Sequence, residues 1–135
     1  DGIALSPDRE HLYYHALTGR TLYRLHTRML RDPNLDEAEL ASGVEMVARS
    51  GVADGIAFGR DGHLYLTALE GSAVNRLTPD RQVERVVAEE RISWPDSFAV
   101  VADGSIYFTT AQIHLGPTPA EPFRLWRLSP GGESK

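Results

Sequence analysis

A two-part string that occurs three times constrains this chain more than any other feature. Asp54-Gly55-Ile56-Ala57-Phe58 is followed by Leu64-Tyr65-Leu66-Thr67. Asp1-Gly2-Ile3-Ala4-Leu5 leads in the same way to Leu12-Tyr13-Tyr14-His15, and Asp96-Ser97-Phe98-Ala99-Val100 to Ile106-Tyr107-Phe108-Thr109. The pattern recurs after 53 residues and again after 42. Periods of this size mark architectures made of stacked supersecondary units, each burying its apolar face on a neighbour.

Within each unit the two runs are separated by turn residues: Ser6-Pro7-Asp8, Gly59-Arg60-Asp61-Gly62 and Ala102-Asp103-Gly104. Gly, Pro and Asp supply the dihedrals and local hydrogen bonds that reverse a chain, so the runs read as hairpin strands. Tyr13, Tyr65 and Tyr107 hold the same place in the second run, and aromatic and β-branched residues there favour strand. A third run, Leu22-Tyr23-Arg24-Leu25, matches Val74-Asn75-Arg76-Leu77 and Leu125-Trp126-Arg127-Leu128. Tyr13 to Arg24 and Tyr65 to Arg76 both span 11 residues, whereas Tyr107 to Arg127 spans 20. The extra nine fall in one loop, 111–122. A fourth run, 44–48 and again 83–87, alternates apolar with polar as an outer strand does, and the third unit has none. Arg24, Arg76 and Arg127 are expected to pair with carboxylates at the edge of each unit. Between Arg28 and Gly43 lies an insertion, where Asn34-x-x-Glu37 predicts a capping box that starts one or two helical turns.

Four antiparallel strands per unit of 42 or more residues describe the blade of a β-propeller. The expected fold is all-β, with units 1–51, 52–93 and 94–135, the last lacking its outer strand. An open three-unit β-solenoid is the competing architecture. Propellers close with about four to eight blades, so three units predict the C-terminal half of a six-bladed ring. Either an N-terminal half or a second copy of the chain would complete it. A sequence starting at Asp1 without Met reads as cut, processed or partly supplied. Composition sets only coarse bounds. The chain has 41% hydrophobic and 24% charged residues, no cysteine, and apolar runs far too short to cross a bilayer, so neither disorder nor a membrane span is expected. A net charge of -5, with 13 Arg scattered rather than striped, argues against a nucleic-acid partner. Compartment is not read from these features; a secreted or periplasmic location would need a leader upstream of Asp1.

Antiparallel alternation places the starts of first strands and the ends of second strands on one face. Asp1, Asp54, Asp96, Trp94, Ser97, His15, Thr67, Glu70, Thr110, Gln112 and His114 are expected there, with the three Asp nearest the axis. Carboxylates gathered at an axis repel unless a cation or hydrogen bonds compensate them. Oxygen-rich sites suit Ca²⁺ or Mg²⁺ better than softer metals, so Asp54 and Asp1 are the candidate metal ligands. The competing role is structural, with each Asp accepting backbone N–H groups in the turn leading into its strand. His114 and Asp96 are the candidate proton-transfer residues, His114 because long loops on a scaffold carry function. Trp94, Gln112, Ser97 and His15 are the candidate ligand contacts, with Trp94 able to stack on an apolar ligand or to pack between blades. No GxSxG elbow, phosphate-binding Gly loop, HExxH or EF-hand loop occurs.

The segments DGIALSPDREHLYYHALTGRTLYRL, VADGIAF with GHLYLT, and SWPDSFAV with IYFTTAQIH resemble the C-terminal blades of the major royal jelly/yellow protein family, bacterial members included. That resemblance covers nearly the whole chain. It implies a six-bladed propeller, a small apolar or aromatic ligand at the axial mouth, and dopachrome tautomerase-like activity in some members. A more distant likeness to the calcium-dependent gluconolactonase/senescence-marker propellers implies metal ligands at the starts of first strands, where Asp1 and Asp54 stand. Three functions follow as alternatives: a ligand-binding or tautomerase propeller, a calcium-dependent sugar lactonase, and a non-catalytic interaction propeller.

Overall fold

The computed structural model describes residues 2–119 and 121–129. The three repeats form three antiparallel sheets in meander order. The first contains β1 (Gly2–Leu5), β2 (His11–His15), β3 (Thr21–His26) and β4 (Glu45–Arg49). In the second are β5 (Ile56–Phe58), β6 (Leu64–Ala68), β7 (Ala73–Leu77) and β8 (Val83–Ala88). The third consists of β9 (Pro95–Val100), β10 (Ile106–Thr110) and β11 (Leu125–Leu128), three strands among the described residues. First strands neighbour one another across sheets, with β5 between β1 and β9. The sheets are therefore blades fanned about a common axis: an arc of a β-propeller.

The hairpin turns repeat in atomic detail. Asp8, Asp61 and Asp103 each accept the backbone N–H two residues on, from Glu10 (2.9 Å), His63 (3.2 Å) and Ser105 (2.8 Å). This local bond competes with strand pairing and so reverses the chain at the same place in every blade. The third-strand arginines pair as the sequence predicts. Arg24 binds Glu45 at 2.7 Å, Arg76 binds Glu84 at 3.1 Å and Arg127 binds Asp103 at 3.2 Å.

Packing between blades explains the consecutive apolar positions of the middle unit, whose two sheet faces are both covered. Ile56, Leu64, Leu66 and Leu77 meet Leu22, Val47 and Ala48 of the first blade. On the other face Tyr65 and Val74 meet Ile106 and Phe108 of the third. A cross-strand row Phe98–Phe108–Trp126 lines that second core, with Phe108 and Trp126 stacked at 6.0 Å. Burial, and then the bond its hydroxyl donates to Asp61 (2.8 Å), push the Tyr65 phenol up to about 12, so it stays a donor.

The insertion differs from expectation in register. Two short helices form, α1 (Thr27–Leu30) and α2 (Glu37–Ser42), and the capping box is Asp36 with Glu39, not Asn34 with Glu37. Asn34 instead closes the preceding turn on Asp32 Oδ1 through both its backbone and its side-chain N–H groups. Asp36 supplies the same cap chemistry two residues later, directly ahead of the helical residues. No helix among the described residues is long and apolar enough to cross a membrane.

Candidate functional site

The site is assembled where β5 and β9 begin. Asp54 precedes β5, and its backbone N–H donates to the fully buried Thr67 hydroxyl at 2.8 Å, as does that of Gly55 at 3.1 Å. This replaces the expected turn cap: a threonine from β6 satisfies the backbone, and the Asp54 carboxylate stays available. It accepts the Trp94 indole N–H at 2.9 Å, tying the second blade to the third. Gly55 is required for that approach, because a Cβ there would lie 2.0 Å from the Asp96 carbonyl oxygen. Gly2 stands in the same relation to the Asp54 carbonyl, at 2.9 Å.

Trp94 adopts a left-handed backbone, φ 53°, and Gln112 does the same at φ 53°. They adjoin: the Ala111 N–H donates to the Trp94 carbonyl at 2.9 Å. Two non-glycine residues held in this region at one spot store strain that the surrounding bonds must offset. Gln112 is 1% exposed, and its Nε2 donates to the Glu121 carbonyl (3.1 Å) and the Pro122 carbonyl (3.0 Å), gathering the long loop at its base. Above that base a 3₁₀ turn, Ile113–Leu115, lays the exposed His114 ring against the Trp94 indole, with centroids 5.6 Å apart and planes at 17°.

Of the residues predicted from sequence, Asp54, Trp94 and His114 are thus in direct contact. Asp96 starts β9 half-buried, but His114 stacks on Trp94 instead of pairing with it. Ser97 occupies the position of Gly2 and Gly55 and lies exposed beside Ala99 on the blade face turned away from the second sheet, so it does not join them. His15 is 1% exposed and bonds Ser50 Oγ (2.8 Å) and the Gly51 carbonyl (3.0 Å) through Nε2. Burial holds its imidazole below the usual value, hence neutral, and its role is to fasten the segment between the first and second blades. Gln112 likewise works inside the protein. Both are expected ligand contacts, and in this arc each side chain is buried and bonded within the protein. Glu70 pairs with Arg20 at 2.6 Å. Asp1 lies outside the described residues. Among those described, no three His, Asp or Glu side chains converge to hold a metal ion, and one Asp54 oxygen is committed to Trp94. Of the two candidate metal ligands, Asp54 alone lies among the described residues.

The sequence pattern groups Asp54, Trp94 and His114 at one mouth, with Asp96 and Gln112, and does not show that these three form one chain of contacts. It also misses the part Thr67 plays.

The blade arc and its axial cluster of an acid, an indole and an imidazole define a β-propeller with a polar-aromatic mouth. Residues 1–128 match the major royal jelly protein family, and the chain belongs to that family. An uncharacterized protein of Sulfolobus acidocaldarius is 27% identical over 118 residues, covering 84% of this chain and 41% of its own length. Among solved structures, a gluconolactonase of Xanthomonas campestris superposes with a TM-score of 0.71 at 21% identity, over 98% of this chain and 44% of that one. Regucalcin of Agrobacterium tumefaciens, a calcium-binding protein, superposes with a TM-score of 0.66 at 19% identity, over 95% of this chain and 44% of that one. These structural likenesses show the propeller fold. The chain spans less than half the length of the relatives it matches.

Proposed function

We propose that the axial mouth binds a small apolar or aromatic ligand, with Trp94 as the apolar wall, in a ring completed to six blades. The observation that carries this reading is the Asp54–Trp94 bond: a half-buried indole is fixed in orientation at the mouth by a carboxylate from the neighbouring blade. A large flat side chain immobilised before binding loses little entropy when a ligand arrives, which is how preorganised sites gain affinity. Binding is favoured over tautomerase chemistry because His114 is stacked rather than paired with Asp96. Ring completion is supported by the outer face of the first blade, where Ile3 is 66% and Leu5 50% exposed. Their counterparts in the second blade, Ile56 and Phe58, pack into the core between blades.

Isothermal calorimetry with 2-naphthol tests the site. Trp94→Ala is expected to weaken binding about tenfold, equivalent to about 1.4 kcal/mol. Equal affinity for the variant and the parent would end the reading. Native mass spectrometry tests completion; a stable particle of one 14.9 kDa chain with no further subunit would count against it.

A further inference from the structure

Trp94 is tied by hydrogen bonds, whereas the ring that lies on it meets it by stacking. The indole is held at its edge by Asp54 (2.9 Å), its carbonyl accepts the Ala111 N–H, and Pro95 behind it is buried. The exposed His114 side chain makes no hydrogen bond among the described residues and rides on a single turn between two left-handed residues, Gln112 (φ 53°) and Gly116 (φ 83°). The loop ends are latched beneath it by the buried Gln112 amide.

Building on the ligand-binding reading above, we propose that His114 is a gate: with the mouth empty its imidazole covers the indole face that a planar ligand uses, and such a ligand enters by displacing it. The Trp94–His114 separation of 5.6 Å, with near-parallel planes, is that of an offset aromatic stack. Displacing it is offset by a ligand that returns at least as much flat π surface to the indole. The displacement cost is common to every ligand that uses this face, so the gate lowers affinity across the board, and the preference for planar aromatic compounds over saturated ones comes from the Trp94 face itself. Movement falls to the imidazole side chain because the indole is tied by Asp54 and its carbonyl by Ala111, whereas the 113–116 turn is closed on its own backbone and leaves the exposed imidazole free of hydrogen bonds among the described residues.

The test uses 2-naphthol and its saturated counterpart, decahydro-2-naphthol, against the parent protein, His114→Ala, His114→Phe and Trp94→Ala. Removing the gate is expected to tighten 2-naphthol binding about threefold to tenfold, the size of an aromatic stacking contribution, and to tighten binding of the saturated alcohol by a similar factor, leaving the preference between them unchanged. His114→Phe, a better stacking ring, is expected to weaken 2-naphthol binding. In parallel, the His114 ring proton resonances, shifted upfield by the indole, are expected to return toward solvent-exposed positions on titration. If His114→Ala weakens or leaves unchanged a binding that Trp94→Ala abolishes, His114 is a wall and the gate is refuted while the binding site stands. Should the resonances stay in place on binding, the gate is refuted as well. Absence of 2-naphthol binding even to His114→Ala refutes both the gate and the site.

Discussion

Gly55→Ala tests how the blades converge. An added Cβ would stand 2.0 Å from the Asp96 carbonyl oxygen, 3.1 Å from its carbon and 3.3 Å from the Ser97 Cα, all backbone atoms of the next blade. No side chain can rotate out of the way, so β9 must move off β5 by roughly 1 Å to restore van der Waals contact. That movement strains the 2.9 Å Asp54–Trp94 bond and loosens the Ile92–Phe108 core. Overpacking of this kind costs about 1–3 kcal/mol, and the rigidity of the obstacle places this variant near the top, about 3 kcal/mol. For a chain of this size that lowers Tm by roughly 10 °C. Gly2→Ala is the internal comparison, since its Cβ meets one backbone atom, the Asp54 carbonyl oxygen, at 2.9 Å and otherwise the Ile56 side chain at 3.1 Å, and about 1 kcal/mol is expected. Urea denaturation of both variants measures the difference. A Gly55→Ala protein within 0.5 kcal/mol of the parent, or one more stable than Gly2→Ala, would refute the close approach of β5 and β9 at the axis.

Asp54→Ala removes the indole's acceptor, and in a Trp126→Phe background, where only Trp94 emits, fluorescence should shift to the red; the lost bond to a charged partner costs about 1.5–3 kcal/mol. An unchanged spectrum would mean that Trp94 keeps its place without Asp54. His15 gives a pH signature. Burial lowers its folded pKa, so below about pH 6.5 the unfolded chain binds more protons than the native protein, and stability is lost as pH falls from there toward the folded value. Asp8, lowered by the Ser6 hydroxyl, and Asp103, lowered by the Ser105 N–H, lose their contributions only below about pH 4. Tm between pH 8 and pH 5 should therefore decline in the parent and flatten in His15→Asn; identical slopes would show that His15 is not the titrating group.

The strands, their register and the arginine–carboxylate pairs were legible because repetition turns a weak local signal into three aligned ones. Tyr13, Tyr65 and Tyr107 sit in equivalent strands for the same reason that Arg24, Arg76 and Arg127 do: each contact recurs with the blade. The capping box was misplaced because Asn34 and Asp36 carry the same capping chemistry, and only the folded turn at Asp32 distinguishes them. The burial of His15 and Gln112 was illegible for a different reason. Position in the blade puts both near the mouth, but whether a polar side chain ends in solvent or in a bond such as His15–Ser50 depends on burial, which no spacing encodes.

Repetition also explains where this protein has been free to acquire chemistry. Gly2 and Gly55 answer the same steric demand, and each fits under the carbonyl of the following blade. Any side chain at either position would open the arc, so neither can carry a function. The third repeat breaks the rule. Ser97 stands where the other two have glycine, which means that whatever packs on the open face of β9 must keep its backbone farther away than β5 keeps from β1. Trp94 stands where the second repeat has Val52, and nine extra residues separate Tyr107 from Arg127. The ring pair at the mouth arises from these two departures together: the substitution supplies the indole and the insertion supplies the imidazole. Asp54 belongs to the repeated set and takes part only because Trp94 reaches it. Its importance is thus conferred by the third blade, and Val52→Trp in the second blade should not reproduce the site, because the Thr67–Gly71 segment there has no loop to place a second ring over it.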